Sequence, residues 1–203
     1  MMKKMIIAIG RENGSGGREI GRQLAQQLDI PFYDKELLAL AAQGSRIDAE
    51  TIRRYDEKLE HPFVDFMQTQ VTSFWHQYQT EPAHARVAQA EFAAIRRLAD
   101  AGPCVLIGRC ADYVLKDRTD VLRVFIRAQD EAKVQRIIQR HGFTPDRAQT
   151  YIRSTDKHRS AYYAAYTNWK WGDPSHFHLV LDSTPIGVDG AAAVIIRYLE
   201  SMA

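Results

Sequence analysis

The run MIIAIG at residues 5–10 passes straight into GRENGSGGREIG at residues 10–21. An apolar strand ends in glycines at 10, 14, 16 and 17, and a helix with Ile20, Leu24 and Leu28 on one face begins at once. Such a start leaves few folds open. Glycine lets backbone N–H groups approach a ligand closely and adopt positive φ. The helix start adds the positive end of a dipole, so the loop suits an anion, phosphate above all. The full phosphate-loop pattern G-x-x-x-x-G-K-[ST] is not met. If Gly17 takes the place of its last glycine, Arg18 stands for the lysine and Glu19 for the hydroxyl residue. Arg18 keeps the positive charge and can fork onto phosphate oxygens, with a different shape and reach. Glu19 can approach Mg2+ but repels phosphate. The binding residues expected here are Gly14, Ser15, Gly16, Gly17, Arg18 and Glu19. The competing reading is a tight strand-to-helix turn with no ligand.

Further along, short apolar runs alternate with helical patterns. Strands are expected at Met5–Ile9, Pro31–Tyr33, Cys104–Ile107, Val121–Ile126 and Phe177–Leu181. Helices are expected over Phe63–Tyr78, around Val87–Leu98 with Gly102 past its end, over Asp146–Tyr166, and over Val188–Leu199. Strands alternating with helices give an α/β fold, a parallel sheet covered on both faces. A chain of 203 residues suits one domain. Residues 43–85 read as a helical insertion, and residues 129–175 as a second polar section rich in basic charge.

The net charge of +2 gives no bulk field that would announce nucleic acid. No segment approaches the roughly 18 apolar residues of a membrane span. The apolar part of the opening MMKKMIIAIG is too short for a secretory signal. Two cysteines, Cys104 and Cys110, make no disulfide framework and suit a reducing cytoplasm.

Three stretches carry a family resemblance: GRENGSGGREIGRQLAQQLDIPFYDKELL at 10–38, VLIGRCADYVL at 105–115, and RSTDKHRSAYYAAYTNWKWGDPSHFHLVLDSTPIGVDGAAAVII at 153–196. Together they resemble the cytidylate kinase-like family, a divergent branch of the nucleoside monophosphate kinases. The resemblance implies a P-loop NTPase-type three-layer fold with a five-stranded parallel sheet, a helical acceptor-binding insertion at about 43–85 and a lid at about 129–175. It implies ATP and Mg2+, with the metal held mainly by phosphates and water. The acceptor would be a nucleoside monophosphate such as CMP or dCMP. Partners would be small nucleotides, with neither nucleic acid nor membrane; the oligomeric state is left open. In cytidylate kinases a GRD motif follows the third strand and binds the acceptor. Here Gly108-Arg109-Cys110 stands there, with Asp112 two residues beyond. Arg109, Asp112, Arg140 and Asp34 are the acceptor residues that the resemblance implies. Asp34 also reads as a plain helix N-cap. Arg136, Arg140, Arg153 and Arg159 resemble lid arginines; with Arg18, Arg136, Arg153 and Arg159 would carry catalysis. Phosphoryl transfer spreads negative charge over the moving group, which the protein positions and neutralises. Asp156, three residues from both Arg153 and Arg159, can pair with either, holding a lid open or orienting its guanidiniums. Leu181–Thr184 resembles the loop near adenine. Two rival functions remain: a non-catalytic sensor of a nucleotide or other anion, and a kinase for another small acceptor.

The run YYAAYTNWKWGDP is aromatic and basic, and could stack single-stranded bases. The commoner use of such residues is to pack a helix onto the core. His176 and His178 alternate at a strand start, but two histidines without a third ligand make a weak metal case, and they read as structural or surface residues.

Overall fold

The computed structural model describes residues 5–34 and 82–202. The strands are β1 (Ile6–Arg11), β2 (Phe32–Tyr33), β3 (Val105–Ile107), β4 (Val121–Arg127) and β5 (Leu179–Asp182). The helices are α1 (Gly17–Leu28), α2 (Pro82–Ala101), α3 (Ala111–Val114), α4 (Asp130–His141), α5 (Pro145–Thr167) and α6 (Gly187–Ser201). The five expected strands are all present, each bound shifted by at most two residues. The expected helix over 63–78 lies outside the described residues, as does the expected insertion up to residue 81. From Pro82 the chain already belongs to α2.

The strands form one parallel sheet in the order β2-β3-β1-β4-β5. β1 lies at its centre, with Ile7 opposite both Val105 and Leu122. A strand flanked on both edges and covered on both faces has no polar side, so it reads as an unbroken apolar run. One face, carrying Ile7, Ile9, Val124 and Ile126, packs on Ile20 and Leu24 of α1 and on Ala192 and Ile195 of α6. The other face, carrying Ile6, Ala8 and Leu106, packs on Ile95 and Ala99 of α2 and on Ala111 of α3. The result is the expected three-layer arrangement.

Beyond the strand ends, α4 and α5 pack on each other around Ile137, Ala148 and Ile152. The second half of α5 comes back to the core. Tyr162 and Tyr163 are buried with Val87 and Cys110, and Tyr166, Trp169 and Trp171 pack around them. The aromatic run is therefore a packing surface. Trp169 stacks on His176 with centroids 3.8 Å apart. His178 Nδ1 accepts the Arg123 N–H at 3.0 Å beside the start of β5. Burial, with Arg123 nearby, lowers the pKa of His178, which favours the neutral acceptor form. No described helix is long and apolar enough to cross a membrane.

Candidate functional site

In open parallel sheets, ligands bind at the carboxyl ends of the strands. Three such ends meet here: Arg11 of β1, Asp34 after β2, and Gly108–Cys110 after β3. The cavity they border measures about 290 Å³.

The loop between β1 and α1 is held from behind. Gly14 and Gly16 have φ of 78° and 80°, a region that L side chains rarely adopt. A Cβ on Gly14 would also lie 2.9 Å from the Lys133 carbonyl of α4. Ser15 is fully buried and braces the loop internally. Its hydroxyl donates to the Glu12 carbonyl at 2.8 Å and accepts the Gly17 N–H at 3.3 Å. Ser183 donates to the Ser15 carbonyl at 2.6 Å, and Arg136 to the Gly14 carbonyl at 3.0 Å. Lys133 bridges Glu12 at 3.2 Å and Asp130 at 2.8 Å. These contacts occupy the carbonyls of the loop and fix its shape.

The helix cap falls on Gly16, and Gly17 is the first helical residue. The G-K-[ST] pattern spans the loop end and the first helical turn, so it aligns here with Gly16-Gly17-Arg18. Gly17 thus falls where the lysine would stand, one residue earlier than the register that gave this place to Arg18. Arg18 holds Asp34 instead, Nε to Oδ2 at 2.6 Å. Arg11 approaches the other oxygen of the same carboxylate at 3.7 Å. The helix that Asp34 was expected to cap lies outside the described residues.

After β3, Gly108, Arg109 and Cys110 are all left-handed, with φ of 68°, 53° and 56°. For the two non-glycine residues this costs about 1–2 kcal/mol each. The turn brings Arg109 Nη1 to 3.2 Å from Glu91 of α2, a carboxylate with no exposed surface. Tyr162 donates to the same carboxylate at 2.7 Å. Beside it, Tyr163 donates to Asp112 at 2.5 Å. Burial raises the pKa of Asp112 and that of Tyr163, so the phenol keeps its proton. Burial also pushes the Cys110 thiol well above its ordinary value, which leaves it a poor nucleophile.

α5 closes the cavity. The Asp156 carboxylate accepts the Asn13 N–H of the loop at 2.7 Å. Arg159 lies 3.5 Å from Asp156 and donates to the Arg11 carbonyl at 3.3 Å. Asp156 therefore ties α5 down onto the loop rather than holding it away. Arg140 of α4 pairs with Glu19. Asn13 Nδ2 and Thr155 Oγ1 are buried in the wall and find no hydrogen-bond partner among the described residues.

Of the residues expected from sequence, Gly14, Gly16, Gly17, Arg18, Glu19, Asp34, Arg109, Asp112, Arg140 and Arg159 all line the cavity. Ser15 and Arg136 do not; they brace the loop from the far side. Arg153 is exposed on the outer face of α5, with Asp130 in its field. Sequence reasoning passed over Arg11, Asn13, Thr155 and Glu91. For Glu91 a signal existed: an acid at the fourth position between Val87 and Ile95, on the buried stripe of α2. Among the described residues no group of three or more His, Cys, Asp and Glu side chains converges on a metal site. Near the loop, Asp34, Glu12 and Glu19 pair with Arg18, Lys133 and Arg140 respectively.

The sequence profile of the cytidylate kinase-like family matches residues 6–185. The cytidylate kinase of Pyrobaculum islandicum is 26% identical over 196 residues, covering 96% of this chain and 92% of the relative. That of Pyrobaculum aerophilum is 24% identical over 195 residues, with the same coverage. Among solved structures, an uncharacterized protein of Eubacterium ventriosum superposes with a TM-score of 0.73 at 28% identity, covering 98% of this chain and 99% of the other. A gluconokinase of Sinorhizobium meliloti shares the fold, with a TM-score of 0.56 at 17% identity and coverage of 100% and 97%.

Proposed function

The chain belongs to the cytidylate kinase-like family, a family of kinase-type phosphotransferases, and from that premise we propose that it moves the γ-phosphoryl group of MgATP to a nucleoside monophosphate, with CMP and dCMP the first candidates. One observation carries the reading: Arg11, Arg18, Arg109, Arg140 and Arg159 converge on a single cavity at the strand ends. The buried Asn13 side-chain amide and Thr155 hydroxyl in its wall, without a partner among the described residues, suit ligand oxygens. An unpaired buried polar group is costly, and a phosphate or sugar oxygen would satisfy it.

In this reading the loop Gly14–Glu19 takes the ATP phosphates, and Arg136 acts by holding its backbone. Arg109, kept in place by Glu91, meets the acceptor together with Asp34, Asp112 and Arg140. Arg159 neutralises the transferring group. Residues 129–175 act as a lid, and closure excludes water so that ATP is not hydrolysed. Arg153 lies outside the cavity, so its part would begin only when α5 moves. No general base is required, because a phosphate oxygen is already an anionic nucleophile; alignment and charge carry the rate. Mg2+, held mainly by phosphates and water, would supply charge neutralisation to the bound nucleotide. The free Cys104 and Cys110 fit a cytoplasmic setting.

A sensor remains the second reading, and Asp156 favours it. A carboxylate seated on a loop N–H occupies a donor that a phosphate would use. Steady-state ADP formation separates the two: the kinase shows acceptor-dependent turnover, whereas the sensor binds ATP without it.

A further inference from the structure

The lysine that a phosphate loop normally carries is missing from α1, and the space it would need is filled. A Cβ on Gly17 would lie 2.6 Å from Arg11 Cβ and 3.1 Å from Arg11 Cγ. The stem of Arg11 therefore runs across the first turn of α1, along the path of a lysine stem at position 17. A lysine there and an arginine at 11 exclude each other. The head of Arg11 continues to the end of β3. There a Cβ on Gly108 would overlap the guanidinium, and Gly108 has a φ of +68°. A glycine at both points leaves Arg11 its course.

The stem of Arg11 thus lies at the loop end, by Gly17, and its guanidinium lies against Gly108 and Asp34 on the acceptor side of the cavity. Asp34 steadies it at 3.7 Å, and the same carboxylate holds Arg18 at 2.6 Å. Arg159 donates to the Arg11 carbonyl, which ties α5 to the backbone from which this side chain starts. The Arg11 side chain is one-fifth exposed, and it lines the cavity.

We propose that Arg11, reaching over from the end of β1, is the cation for the terminal phosphates of the donor, doing from the strand what a loop lysine does from the helix. The assignment rests on the phosphotransferase reading for its catalytic part; its phosphate-binding part stands without it.

The test compares wild type with Arg11→Gln, Arg11→Gly, Gly17→Lys and the double variant Arg11→Gly/Gly17→Lys. Each is checked for folding by its melting curve. Turnover is followed with MgATP and nucleoside monophosphates, and binding of inorganic tripolyphosphate by calorimetry. Arg11→Gln is expected to lower kcat by about 10²–10³-fold with little change in acceptor KM. Gly17→Lys alone is expected to lose folding or activity, because the stems collide. The double variant is expected to regain at least about tenfold in kcat over Arg11→Gly, a recovery that a purely structural role for Arg11 would not give. The proposal is overturned if Arg11→Gln keeps kcat within about threefold of wild type, or if a folded double variant recovers nothing. Should wild type turn over no acceptor, the kinase reading fails and tripolyphosphate decides. Binding that is strong in wild type and lost in Arg11→Gln keeps Arg11 as the phosphate cation. Equal binding, or none in wild type, removes it.

Discussion

Asp156→Asn should make the protein more stable at neutral pH, although it removes a charge that sits beside an arginine. Burial raises the Asp156 pKa from 3.8 to about 6, and Glu12 adds to the rise. Arg159, the Asn13 N–H and Lys133 pull the other way without cancelling it. Below pH 4 the carboxyl is protonated in both folded and unfolded chains and contributes nothing to the pH dependence. Between pH 4 and 6 the unfolded chain ionises first, so the folded state binds more protons and its stability falls as pH rises. A shift of about two pKa units amounts to roughly 3 kcal/mol, lost by pH 7. An asparagine amide oxygen still accepts the Asn13 N–H and never ionises. The variant should gain up to about 3 kcal/mol at pH 7.5, and for a chain of this size each kcal/mol moves Tm by about 2–4 °C. The assay is a pair of thermal melting series from pH 4 to pH 8. The gain should be largest at the upper end and shrink toward pH 4. A variant less stable than wild type at pH 7.5, or a difference that does not change with pH, would refute the reasoning. The same carboxylate repels an incoming phosphate, so the variant should also bind tripolyphosphate more tightly.

Two other substitutions probe how the cavity is braced. Glu91→Ala leaves Arg109 and the Tyr162 hydroxyl without their buried acceptor and should cost about 3–5 kcal/mol in chemical denaturation, whereas Glu91→Gln, which can still accept from Tyr162, should cost less. Ser183→Ala removes the bond to the Ser15 carbonyl and the contact with Arg136, so it should cost about 1–2 kcal/mol and, in kinetics, raise KM for MgATP more than it lowers kcat.

The sheet was legible because its central strands are buried on both faces. Ile6–Ile9 and Val121–Ile126 can be little else than strands once glycine or charge ends them. The loop was legible too, since Gly14 and Gly16 sit where positive φ is needed. What stayed hidden was how the chain closes in space. Arg11 looks like an ordinary polar end to a strand; only its course past Gly17 and Gly108 gives it a role. Asp156 was visible as a partner for arginines on its own helix, but its bond to Asn13 joins residues 143 positions apart. Arg136 and Arg153 belong to the same basic section as Arg140 and Arg159, yet the turn of each helix aims one behind the loop and the other outward. Helical spacing counts positive charges without saying which of them face the cavity.

The most direct measurement is ADP formation from MgATP, with each nucleoside monophosphate added in turn. The account predicts turnover that depends on the acceptor, with CMP or dCMP among the best. Absence of acceptor-dependent ADP across the whole set, with clear ATP-induced thermal stabilisation, would contradict the kinase and leave a binding protein in its place.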